Sequence, residues 1–147
     1  MKCLILLLTL CATVFCKTEA QSVYKDCYGI IAECSDDSVV YHTKNGKEIR
    51  LKTNEIKYDG GLDSLKQDIY RSLSQDHEDN ERTIFFVLFD KKHRISEIRM
   101  CSLLNKEPIT PLPYADDYIR AIAKTEKKWK TENHNNWYVA VFGLHVF

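Results

Sequence analysis

Hydrophobic and polar positions are most clearly ordered between Thr83 and Leu104, the one stretch that forms a complete β-hairpin pattern. Thr83 to Phe89 is an almost unbroken apolar and β-branched run, as expected of a strand buried on both faces or packed beneath helices. The second arm alternates: Ile95, Ile98, Met100 and Leu103 are separated by polar residues. Its one slip of phase, between Ile95 and Ile98, marks a bulge or the start of the strand. Asp90 to Arg94 supplies a polar turn opened by an aspartate whose carboxylate can accept backbone N–H bonds. A lone hairpin is marginal in water, so flanking elements must cover this one.

The flanks offer such elements. Val23, Cys27, Ile30, Ile31 and Cys34 recur at intervals of three and four, the spacing of a short helix that Gly29 weakens. Ser38 to Thr43 and Lys47 to Leu51 are strand-like arms about Asn45-Gly46, a pair suited to a type I′ turn with positive φ at both central residues. Asp59-Gly60-Gly61 leads into a helix with Asp63 as N-cap and Leu65, Ile69 and Leu73 as its buried stripe. Gln75 to Arg82 is wholly polar and predicts an exposed loop, whose carboxylates lack the glycine and terminal glutamate of an EF-hand, so no metal is expected. All three prolines fall between Asn105 and Pro113, a stiff extended connector.

A second helix follows, with Ala115, Tyr118, Ile119, Ile122 and Ala123 on one face. Asp116 and Asp117 sit in its first turn and Lys124, Lys127 and Lys128 in its last, complementing the helix dipole, so the lysines are a solvated helix end. Trp129 closes this helix onto the sheet, and a polar turn from Thr131 to Asn136 precedes a last strand from Trp137 to Phe147. The order predicts an α+β fold: a two-layer sandwich with two helices on one face of an antiparallel sheet, and an extra N-terminal helix/hairpin.

Residues 1–20 carry Lys2, an apolar run from Cys3 to Cys16 and a small-residue site ending at Ala20, the pattern of a cleaved secretory signal. The run is shorter than the ~20 apolar residues of a membrane span. The expectation is an exported protein, periplasmic or secreted, with no membrane span after cleavage. Twenty-one basic residues balance 21 acidic ones, so no global field recruits nucleic acid or an anionic membrane. Beyond residue 20 three cysteines remain, of which Cys27 and Cys34 are the local candidates for a disulfide and Cys101 a buried thiol.

No enzyme motif stands out. The five histidines, His42, His77, His93, His134 and His145, show no metal-ligand spacing, and no nucleotide-binding loop or nucleophile elbow is present. No cofactor and no metal are expected. A hydrolase built on His134 or His145 with an acidic partner is the third reading, and Cys101 in a half-buried strand is a poor nucleophile. An aromatic surface of Trp129, Trp137 and Tyr138 would serve a small-ligand or carbohydrate binding module, the second reading.

Gly60-Gly61-Leu62 before a helix, Phe89-Asp90-Lys91-Lys92-His93-Arg94-Ile95 at a strand end, and Trp129-Lys130-Thr131 before a terminal apolar strand resemble the C-terminal domain of TonB-type energy transducers. That family has a double glycine, a V-D-K-D-G-K-I strand end and a W-K-P motif. The resemblance covers residues 59–147, leaving 21–58 as an N-terminal extension with a β-hairpin. Here His93 takes the place of the turn glycine and Thr131 that of the proline, and the tyrosine-proline pair after the first helix, which helps to engage the receptor, is missing. The family's membrane anchor and proline-rich spacer are not seen in this sequence either, so the expectation is a stand-alone exported domain. The resemblance implies a non-enzymatic protein-interaction domain whose terminal strand, Tyr138, Val139, Ala140, Val141, Phe142, Gly143, Leu144, His145 and Val146, accepts an extended segment of a protein partner in the cell envelope, an outer-membrane receptor among the candidates.

Overall fold

The computed structural model describes residues 22–52, 55–77, 82–102 and 114–145, with residue 145 described by its backbone alone. Residues 1–21, on which the expected secretory signal falls, 53–54, 78–81, 103–113 with the expected proline connector, and 146–147 lie outside the described residues. Strand β1 (Ser22–Asp26) opens a four-stranded antiparallel meander with β2 (Gly29–Cys34), β3 (Ser38–His42) and β4 (Glu48–Lys52). Strand β5 (Ile56–Tyr58) leads into α1 (Gly61–Ser72), followed by the hairpin β6 (Arg82–Phe89) and β7 (Ile95–Ser102). Helix α2 (Ala115–Ala123) and a single 3₁₀ turn (Glu126–Lys128) precede β8 (Trp129–Thr131) and β9 (Tyr138–His145). Strand β6 is central to a sheet ordered β7-β6-β9, and β5 pairs with β8 in a separate ribbon.

The fold is α+β, with both helices on one face of the central antiparallel sheet, and the meander adds a third layer on the other face. Phe85, Val87 and Phe89 of β6 pack with Leu65, Ile69, Tyr118 and Ile122 of the helices. Phe86 and Leu88, on the opposite face of the same strand, pack with Ile31, Val39, Tyr41 and Leu51 of the meander. Each such side chain contributes about 1.5–3 kcal/mol when buried, and β6 is apolar from Ile84 to Phe89 because both of its faces are covered there.

Several local expectations are corrected. No helix forms over Ser22 to Cys34, because Asp26 accepts the Tyr28 N–H at 2.8 Å, Gly29 adopts φ 114° and the chain reverses there. Tyr24 pairs with Ala32 and Lys25 with Ile30, so Ile31 is an extra bulge residue. Ile31 and Ala32 are buried in succession, and the slipped alternation imitates a helical spacing. Only Gly46 of the Asn45-Gly46 pair has positive φ. The Thr43 N–H bonds the Lys47 carbonyl and the Gly46 N–H bonds the Thr43 carbonyl, the three-residue loop of a type I turn closed by a left-handed residue rather than a type I′ turn.

Asp63 lies in the first turn of α1 and Gly60 at its cap, with φ 84°, where a Cβ would collide with the Ser64 side chain. Helix α2 stops at Ala123, so Lys127 and Lys128 belong to the 3₁₀ turn and Trp129 to β8; Ala121 is buried and Ala123 exposed. The bulge in the second hairpin arm is present, with Ser96 as the extra residue opposite Leu88 and Phe89.

The meander is held on the central sheet by one buried guanidinium. Arg99 of β7 is 2% exposed. It donates to both Asp26 oxygens at 2.8 and 2.5 Å and to the carbonyls of Gly29, Ile30 and His42. Two residues earlier, Glu97 accepts the Tyr41 hydroxyl at 2.9 Å and the Lys44 N–H. Removing one partner of such a pair leaves a buried charge without compensation. Arg99→Leu is therefore expected to lower the unfolding free energy by about 3–5 kcal/mol. Arg99→Leu with Asp26→Asn should recover part of that loss, read as a shift of the urea midpoint at constant slope.

A second polar clasp joins the segment after α1 to α2. Asp117 is buried, accepts the Ser74 N–H at 3.1 Å and lies 2.7 Å from His77 Nε2, which draws His77 inward from the stretch expected to be exposed. Burial alone would raise the Asp117 carboxyl, but the His77 and Ser74 hydrogen bonds outweigh it and hold it at about 2. A carboxyl lowered by folding adds stability above its unfolded value of about 4, and that contribution is lost as pH falls through about 2. Asp117→Asn should be clearly less stable than the parent at about pH 7, with the gap closing towards about pH 2 in denaturation curves taken across that window.

Candidate functional groove along the terminal strand

Strand β9 pairs with β6 over eight consecutive residues, Tyr138 opposite Phe89 through His145 opposite Arg82, with no shift of register. Its other side is the edge of the sheet. Tyr138, Ala140, Phe142 and Leu144 face the helices, and Val139 faces the meander. Val141 is 43% exposed. The backbone of His145 belongs to β9, and Val146 lies outside the described residues.

A cavity of about 430 Å³ runs beside this edge, lined by Val139 to Phe142, by Ile56 to Tyr58 of β5, by Leu62 and Leu65 of α1, and by Trp129 and Asp36. Leu62 is 47% exposed there. The far wall is braced by polar contacts: Asp68 accepts the Tyr58 hydroxyl and the Lys128 ammonium, each at 2.6 Å, and the Asp59 N–H bonds the Lys128 carbonyl. The Lys128 and Tyr58 bonds lower the Asp68 carboxyl, while burial and the bond to Asp68 push the Tyr58 hydroxyl up. The wall is thus held at neutral pH by an ionised Asp68 and a protonated Tyr58, in a form that presents the apolar side of α1 to β9.

Strand edges attract other strands unless charge, proline or a bulge blunts them. Strand β7 has its bulge at Ser96 and carries Glu97 and Arg99; β1 pairs across a bulge and carries Lys25 and Asp26. Strand β4 exposes Glu48, Arg50 and Lys52, and β5 and β8 carry Lys57 and Lys130. Strand β9 has no Lys, Arg, Asp, Glu or Pro between Tyr138 and His145. Its chemistry is therefore that of an unguarded row of backbone donors and acceptors next to an apolar groove.

The other candidate residues do not converge. Cys27 lies in the β1–β2 turn and Cys34 at the far end of β2, five steps beyond Gly29 at about 3.3 Å each. A disulfide needs Cα atoms within about 7 Å, so the pair does not bridge, and both thiols are free. Cys101 is buried and its thiol is pushed up to about 12 by burial, which keeps it protonated and unreactive. Trp129 packs its ring against Tyr58, Phe89 and Phe142 and donates its N–H to Thr125 Oγ1 at 3.0 Å. Tyr138 is buried on the helix side, whereas Trp137 lies on the meander side with the Lys47 ammonium over its ring. The three aromatics share no stacking surface. His134 lies against the ring of His93. Among the described residues no group of three or more His, Cys, Asp or Glu side chains is placed to hold a metal, and no helix is long and apolar enough to cross a membrane.

Sequence reasoning placed the edge strand but not the opposite wall of the groove. Leu62 stands three residues before Leu65 and seven before Ile69, on the same stripe of α1, yet it is exposed: the stripe runs past the core and lines the groove, which the apolar spacing alone does not reveal. Trp129→Ala removes a ring that supports both the core and the groove, and should cost about 3–5 kcal/mol in thermal or urea unfolding. No protein-family model, curated protein or solved structure matches the chain.

Proposed function

We propose that this chain is an exported, non-enzymatic interaction domain that binds an extended segment of a partner protein along β9 by strand augmentation. The observation that carries the reading is the unguarded outer edge of β9, the one strand of the central sheet and the meander that lies at an edge without charge or bulge, set beside an apolar groove. In such recognition the main-chain hydrogen bonds supply affinity, and side chains alternating into flanking pockets supply selectivity. The groove offers both sides: Leu62, Leu65 and Trp129 on the helix side, Val139 and Val141 on the meander side. The resemblance to the TonB-type C-terminal domain points to the same strand and to a partner in the cell envelope, an outer-membrane receptor among the candidates.

Amide NMR titration with peptides from the N-terminal segments of candidate outer-membrane receptors tests this. Shifts should concentrate on Tyr138 to His145 and on Leu62 across the groove. A Val141→Lys variant should keep its stability within about 0.5 kcal/mol, because the side chain is exposed, and bind at least about tenfold more weakly. Absence of shifts at about 1 mM peptide, where even a weak complex forms, would remove the proposal.

A further inference from the structure

Two imidazoles join the β6–β7 turn to the loop ahead of β9. His93 and His134 stack with ring centroids 5.1 Å apart and planes 29° apart, and the Tyr138 ring meets His93 edge-on at 5.7 Å. His93 Nε2 is shielded from solvent and has no hydrogen-bond partner. The residue also sits at φ 60°, a left-handed conformation that is unfavourable for a residue with a Cβ. Its turn repeats the hydrogen bonds of the Thr43–Lys47 turn, with Asp90 N–H to the Arg94 carbonyl and His93 N–H to the Asp90 carbonyl, and there the equivalent residue is Gly46. Strain kept where glycine would relieve it marks a position held for another reason.

We propose that the His93–His134 stack is a proton-operated latch, which holds residues 132–136 against the β6–β7 turn when both rings are neutral and releases them in mild acid. Imidazole is the side chain whose charge ordinarily changes between pH 5 and 8. A proton on the buried nitrogen creates a cationic donor with no acceptor, a costly state that an open loop relieves through water. The charged groups around the stack do not offset it. On the same turn Asp90 is engaged by the Lys92 and Arg94 N–H groups and the Arg94 guanidinium, while Lys91, Lys92 and Arg94 add positive charge. From the 3₁₀ turn, Glu126 accepts the Ile95 N–H; from the loop, Glu132 is exposed; from β9, Tyr138 donates its hydroxyl proton to the Asn133 carbonyl. The pair is not a chelate: lone pairs lie in the ring planes, and stacked planes run side by side without meeting at one ion.

The latch stands independently of any partner at β9. It is tested by following histidine ring carbons and backbone amides by NMR between about pH 8 and pH 5, in the parent and in His93→Gly, a change the left-handed turn accepts. The amides of Glu132 to Asn136 and Tyr138 should shift together with the two rings in the parent, losing exchange protection on the acid side. In His93→Gly that coupled shift should vanish, with the loop open throughout. His134→Ala, which leaves the turn untouched, should give the same result. Loop amides that stay still while the rings titrate would overturn the proposal, as would a coupled shift that survives in either variant.

Discussion

Every layer of this molecule answers to one constraint, that β6 is apolar on both faces. A strand of this kind cannot stand at a surface, so it requires helices on one side and a second sheet on the other. Hydrophobic burial is non-directional and does not by itself fix how the meander sits. Arg99 supplies the direction. Its planar fork meets one carboxylate and three carbonyls from the β1–β2 turn and the end of β3, and Glu97 on the same face of β7 fastens the β3–β4 turn. Arginine suits the task because it offers five donors in fixed geometry and keeps its charge when buried.

What could be read from the residues alone follows from which interactions are local. The β6–β7 hairpin with its bulge, the two helices and the terminal strand have patterns complete within a dozen residues or so, and all of them form, although α1 starts at Gly61, ahead of the expected Asp63 cap, and α2 stops at Ala123, short of the lysines expected in its last turn. The first hairpin was hidden because the bulge at Ile31 shifts its alternation by one residue, which turns a period of two into intervals of three and four. Arg99 occupies a polar position of an alternating strand and so appeared solvent-facing; only a second sheet on that face makes it a core residue. Asp117 was hidden similarly, since an aspartate in the first turn of a helix has sufficient reason to be there from the helix dipole, and its bond to His77 spans 40 residues. The β5–β8 ribbon has no local signature, being three residues on each side.

The candidate site divides along the same line. The terminal strand's place at an edge was expected only from the resemblance, but the strand itself was legible because it is long and rich in β-formers. Its groove was not, because the wall opposite is assembled from β5, α1 and β8, which meet through the Tyr58–Asp68–Lys128 contacts rather than through any continuous segment. The same contacts keep a space open beside β9 where collapse onto the strand would otherwise bury Leu62 and Val141.

The pairing of Ile56 with Thr131 in that ribbon has a kinetic consequence. Together with β9 on β6, it makes much of the sheet depend on residues 129–145, far along the chain from their partners. Non-local strand pairing is slow, because loop closure must precede the contacts that reward it. A chain made from its N-terminus can therefore form the meander and the β6–β7 hairpin early, but β6 keeps a bare flank until β9 arrives. During that interval the nascent chain presents its most apolar strand unpaired, a period of aggregation risk set by topology rather than by final stability.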